Sequence, residues 1–184
     1  MYRASCRQST IDVRQHFPIF GDRNRNLKKL FSEKQLISVN ADFSISEVLL
    51  LYSGRYQLRG MHFQKYKAQN RMIFLCSGKL YLVVADITGK YNPLGTWNGY
   101  ILDSSCDYGL YIPECFATGT LAMEDSSFLM LCDDIHADGS DAGFKYDDAN
   151  LNIDWLIPHE NIKVSEKDSK LPSFLEARDG FRSK

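Results

Sequence analysis

Between Leu58 and Asp134 short apolar runs alternate with clusters of turn formers: RMIFLC, KLYLVVADI, NGYILD, GLYIP and SFLMLC are separated by SGK, TGKYNPLGTW, SSCDY and MEDSS. Short β-rich runs bounded by Gly, Pro, Asn, Asp and Ser read as strands. Several of them at this spacing predict an all-β sandwich or barrel. KLYLVVADI is apolar at nearly every position, as expected of a strand covered on both faces in a closed double-sheet barrel. Helical periodicity is scarce, with Arg25–Gln35 the best stretch and Leu171–Arg178 a weaker one; neither would organise a fold. No repeat, low-complexity tract or Pro/Gly-rich linker interrupts the chain, so the expectation is a single domain over residues 1–184 whose polar end frays from about residue 174.

Composition agrees with a packed domain and narrows the partners. Hydrophobic residues make up 44% of the 184 residues, enough for a core. Lys and Arg total 22 against 23 acidic residues. No field of one sign therefore favours a nucleic-acid backbone or an anionic membrane, and an anionic ligand must be met locally. The opening MYRASCRQST lacks the apolar stretch of a signal peptide, and no run approaches the roughly 18 apolar residues of a membrane span, so a cytoplasmic protein is expected. The five cysteines are widely spaced and most lie in apolar runs, a pattern of reduced, buried thiols. Cys76 in IFLCSG and Cys132 in FLMLC read as core strand positions.

The segment richest in chemistry is Leu58-Arg59-Gly60-Met61-His62-Phe63-Gln64. In regular strand geometry Leu58, Gly60, His62 and Gln64 share one face, so His62 and Gln64 would line a cavity together, and the glycine would leave room for a ligand beside the imidazole. On pattern alone a lone strand histidine is more often a satisfied core residue than a catalyst.

LRGMHFQ is similar to the RGLHxQ signature of the dTDP-4-dehydrorhamnose 3,5-epimerase family, cupin-like barrels, and the likeness continues in order. SGKLYLVVADI, NPLGTWNGYIL, GLYIPECFATGTL and DDANLNIDW followed by VSEKD resemble successive family motifs, five blocks over roughly residues 22–168. The resemblance implies a cupin-like jelly roll of two antiparallel sheets with short peripheral helices, and a homodimer sharing N-terminal strands. It also implies epimerisation, with no organic cofactor or metal, of a nucleotide-diphosphate sugar bearing a 4-keto group. In these terms His62 is the base and Asp168 its carboxylate. Arg71, where the family usually has lysine, and Arg59 would support the enolate oxygen or the phosphates. Arg23, in FGDRNRN, matches a phosphate contact supplied by the neighbouring subunit, and Gln64 a ligand contact.

Three departures shape the expected activity. Met130 stands where the family has its proposed proton-donating tyrosine, and a thioether has no proton to give. Thr118 replaces a family histidine, and LLLYSGRYQLRG lacks the residues that normally precede the RG motif. The preferred reading is inversion at one carbon only, of a dTDP-linked or CDP-linked 4-keto-6-deoxy or 3,6-dideoxy hexose made for surface polysaccharide. The alternatives are a ketoisomerase using the same base and an inactive nucleotide-sugar binder with Trp97 and Trp155 as stacking platforms. Tyr108, Tyr111, Tyr146 and His136 are the substitute acids within the chain, each read first as packing or surface. A metal centre would need a His-x-His pair and a later histidine, whereas the chain offers His62, Gln64 and Thr118.

Overall fold

The computed structural model describes residues 16–18, 20–22, 27–31, 43–90, 92–103, 105–106 and 108–182. Two sheets form a jelly-roll barrel. The first runs in the order β1 (His16–Pro18), β9 (Tyr108–Ile112), β6 (Arg71–Ser77), β11 (Ser126–Cys132) and β4 (Glu47–Ser53). The second runs β12 (Asp141–Gly143), β5 (Gln57–Gln64), β10 (Phe116–Ala122), β7 (Lys79–Asp86) and β8 (Trp97–Asp103). Neighbours along both paths are antiparallel. Off the path, β13 (Lys163–Val164) adds to β5 in parallel. The five runs singled out in the sequence are β6, β7, β8, β9 and β11.

The two periodicities of β7 explain its composition. Its even positions Leu80, Leu82 and Val84 face the space between the sheets, packing with Ile73, Leu75, Leu102, Leu110, Ile112 and Phe128. Its odd positions Tyr81, Val83 and Ala85 face outward, where Phe144, Leu151, Ile153, Trp155 and Phe174 from the C-terminal segment cover them. Both faces are dry, so no polar alternation appears. The residues Phe174–Arg182 form a helix, with Phe174 and Ala177 buried against that outer layer. β10 escapes notice in the sequence because close packing demands small residues in it. A Cβ at Gly119 would run into Met61 Sδ and the Trp155 ring.

Two expectations are corrected. The helix expected over Arg25–Gln35 is not formed at its described start: Leu27–Lys29 is strand β3, paired antiparallel with β2 (Phe20–Asp22). Cys76 is exposed, because the covered stretch of β6 ends at Leu75 and the last residues run out to a turn. Cys115 and Cys132 are buried and Cys106 is half-buried. Trp97 and Trp155 pack in the outer layer, their indole N–H groups donating to Leu151 O and Tyr146 O at 2.9 and 2.8 Å, away from the barrel interior.

Candidate active site

At one end of the barrel polar side chains join the aliphatic ones that face inward. A cavity of about 300 Å³ opens there, lined by Arg59, His62, Arg71, Thr118, Met130 and Asp168 among others. A second cavity of about 280 Å³ adjoins it and shares His62, Arg71, Met130 and Lys167. Each lies near the lower bound of small-ligand pockets, and together they give an elongated site.

The C-terminal segment builds the central pair. β13 runs beside the start of β5, Val164 opposite Leu58, and delivers Ser165 as the cap of the short helix Glu166–Ser169. Ser165 Oγ accepts the Asp168 N–H at 3.0 Å, satisfying an otherwise unpaired helix-start donor. The Asp168 side chain, 4% exposed, then turns toward β5. Its Oδ2 accepts the Gly60 N–H at 3.2 Å and its Oδ1 lies 2.8 Å from His62 Nε2. A carboxylate can only accept, so the neutral ring carries its hydrogen on Nε2 and presents the Nδ1 lone pair as a base. The His62 side chain remains 40% exposed, open to the cavity.

Strict alternation would point Arg59 away from His62. The register slips instead: Thr118 of β10 lies opposite His62 but Thr120 opposite Arg59, so β5 carries one extra residue there. The bulge resets the phase and brings both side chains to one cavity. Gly60 sits in it at φ 117°, a conformation that favours glycine. The sequence reading gave the missing side chain's space to a ligand. The β10 backbone occupies it: a Cβ at Gly60 would lie 2.6 Å from Thr118 O and 2.8 Å from Gly119 Cα.

Two arginines face the pair. Arg59 donates from Nε to Ser53 Oγ at 3.0 Å and from a terminal nitrogen to Tyr52 O at 2.9 Å, which fixes its guanidinium against β4. Arg71 donates to Thr118 Oγ1 at 3.3 Å. Burial lowers the Arg71 pKa, with Cys132 and Asp141 acting in the opposite direction; a guanidinium keeps its charge regardless. Its neighbour Cys132 is pushed up to about 11, chiefly by burial, so this thiol stays protonated and is no nucleophile.

Of the residues expected at the site, the fold gathers His62, Asp168, Arg71, Arg59, Thr118 and Met130 around one cavity. Gln64 lines the second cavity, but its amide is bracketed to Gln69, donating to Oε1 at 3.1 Å and accepting from N at 3.0 Å. Arg23 lies outside the described residues. Lys167, which lines both cavities, was not singled out; its signal was its place beside Asp168 in VSEKD. His136, read first as surface, lines the second cavity with Asp141. Tyr108, Tyr111 and Tyr146 line neither cavity. Among the described residues no group of three or more His, Cys, Asp or Glu side chains is placed to hold a metal ion.

Comparison with known proteins agrees with this architecture. A dTDP-4-dehydrorhamnose 3,5-epimerase from Methanothermobacter thermautotrophicus is 32% identical over 118 residues, 63% of this chain and 64% of the relative, so the match spans just under two thirds of that protein's length. The crystal structure of a dTDP-4-dehydrorhamnose 3,5-epimerase from Elizabethkingia anophelis superposes with a TM-score of 0.79 at 26% identity, over 87% of this chain and 89% of that one. A dTDP-6-deoxy-D-glucose-3,5-epimerase from Legionella pneumophila, in complex with dTDP-4-keto-L-rhamnose, gives a TM-score of 0.79 at 25% identity over 86% of each chain. The sequence model of the dTDP-4-dehydrorhamnose 3,5-epimerase family matches residues 12–176, and the chain belongs to that family.

Proposed function

We propose that the protein epimerises a nucleotide-linked 4-keto-6-deoxy hexose at a carbon beside the ketone. The observation that carries the reading is the His62–Asp168 pair, 2.8 Å apart at the wall of a cavity faced by Arg59 and Arg71. His62 Nδ1 takes the proton from the carbon next to the carbonyl. Asp168, fixed by Ser165 and Gly60, holds the ring in the basic tautomer and balances the imidazolium that forms. The enolate oxygen carries the charge released, and Arg71, half-buried where water screens little, stabilises it. Arg59 and Lys167 supply cationic groups for the diphosphate. Return of a proton on the opposite face inverts the centre, with no net redox change.

With Met130 in the tyrosine's place, one centre, C3 or C5, is inverted. The names of the relatives and the ligand of the Legionella structure support a dTDP-linked sugar; the altered residues before the RG motif keep the CDP-linked sugar as the second substrate to try. The setting proposed is cytoplasmic deoxysugar synthesis for a surface polysaccharide, and none of the helices of the described residues is long and apolar enough to cross a membrane. A homodimer is part of the reading: the edge strand β4 exposes Val48, Leu50 and Tyr52, at 59%, 50% and 67%, more apolar surface than an unpaired edge usually leaves open.

The test is proton NMR of dTDP-linked and CDP-linked 4-keto-6-deoxy sugars with the protein in deuterated water. Loss of the C3 or the C5 signal, with the matching new epimer, supports the single-centre reading. Loss of both restores double epimerisation. Binding without exchange on either sugar replaces the enzyme by a binder.

A further inference from the structure

Epimerisation needs a donor on the face opposite the base, and Met130 cannot serve. The second cavity contains a second imidazole–carboxylate pair. His136 Nδ1 lies 3.8 Å from Asp141 Oδ1, and both side chains line the cavity together with His62, Met130, Arg71 and Lys167. Asp141 belongs to β12, which lies directly beside the catalytic strand: Asp141 is opposite Gln64 and Gly143 is opposite His62. A Cβ at Gly143 would collide first with Met61 O and would also come within 3.2 Å of His62 Cδ2, so glycine there lets β12 pack closely on β5 beside the imidazole.

The loop carrying His136 is strapped in place on both sides. The His136 N–H donates to Glu47 Oε2 at 3.1 Å, and Ser46 Oγ donates to Asp133 O at 2.8 Å. From the β5–β6 connection, Asn70 N donates to Asp133 Oδ1 at 2.8 Å, Gln69 Nε2 to Asp134 O at 2.6 Å and Tyr66 Oη to Asp138 O at 2.9 Å. Such a loop holds an imidazole at a defined place, which proton transfer requires. The His136 side chain is 44% exposed, so it can recover a proton from water after each turnover.

Resting on the epimerase reading above, we infer that His136, positioned by Asp141, is the acid that returns the proton to carbon in place of the missing tyrosine. The C–H bond next to the ketone breaks toward His62 Nδ1 and its electron pair becomes the enolate. The enolate carbon then takes the proton of the His136 imidazolium, whose N–H electron pair stays on the nitrogen. Solvent removes the proton from His62 and resupplies His136, so nothing is oxidised or reduced. Lys167 also lines both cavities, but it is the chain neighbour of Asp168 on the helix that carries the base's carboxylate, whereas His136 stands on a separate loop.

The experiment separates removal of the proton from its delivery. His136→Gln and wild type are compared on the dTDP-linked or CDP-linked sugar that wild type turns over, in deuterated water, following deuterium entry into the substrate and appearance of the inverted epimer separately. The variant should keep exchange at the substrate carbon, because His62 still removes the proton and returns a deuteron to the same face. Inversion should fall about 10²-fold or more. Asp141→Asn should lower inversion about tenfold and likewise keep exchange. Inversion by His136→Gln within about twofold of wild type overturns the assignment, as does a parallel loss of exchange and inversion, which a merely structural role would give. Failure of wild type to exchange any proton overturns the epimerase reading itself, and the acid with it. Loss of exchange in His62→Asn alongside its retention in His136→Gln separates the two roles.

Discussion

The two ends of the same barrel are built from the same strands with the same inward alternation, yet one is solid and the other holds a cavity lined by polar side chains. Along β6 the inward side chains run Leu75, Ile73, Arg71; along β11 they run Phe128, Met130. Within a strand, one or two steps separate a fully dry position from one lining a cavity. The closed end depends on volume, since Leu80 and Leu102, paired with each other across β7 and β8, are both 0% exposed. The open end depends on fixed polar geometry: the Ser165 cap, the bulge at Gly60 and the straps on the loop that follows β11. The comparison teaches that packing and polar geometry are largely separable here, although Ile73 and Phe128 belong both to the inter-sheet core and to the cavity wall.

That separation can be broken or sharpened. The largest effect is expected at the closed end, where Leu80→Ala leaves a cavity in the inter-sheet core and should cost about 2–5 kcal/mol. Urea unfolding reads this as a lower midpoint, and exchange activity per folded molecule should stay within about twofold of wild type. A comparable loss of activity would show the ends to be coupled. Arg71→Ala at the open end should cost about 10²–10³-fold in kcat, the scale of removing one preorganised charge-stabilising group, with little change in unfolding midpoint. Met130→Tyr restores a phenolic donor and should extend inversion to a second carbon of the sugar, observed by NMR; unchanged single-centre inversion removes Met130 from the account. The smallest effect belongs to neither end. Cys76→Ser, at an exposed position, should shift stability by no more than about 0.5 kcal/mol.

Much of the frame was legible because the apolar runs of β6, β7, β8, β9 and β11 carry their own strand signal, and β7 declared by composition that both its faces are covered. β10 was hidden by the small residues its packing requires, and β2 and β3 by charged positions that mimic a helical face. At the site, His62 and Asp168 were found through motif resemblance, since residues 106 positions apart have no local signal that joins them. The placement of Arg59 beside His62 was beyond strict alternation, because a bulge changes the phase and only a backbone conformation that favours glycine marks it. That His136 lines the second cavity had no local signal for a related reason: which cavity its loop is strapped to is a long-range matter that spacing does not encode.

The central claim is that the open end removes a proton from carbon through His62. The most direct test is the rate of deuterium entry into the sugar in deuterated water for wild type and for His62→Asn, both confirmed folded by their urea midpoints. The account predicts measurable exchange for wild type and a loss of about 10³-fold or more for His62→Asn at unchanged stability. Exchange by His62→Asn at a rate near wild type would contradict it and place the base elsewhere.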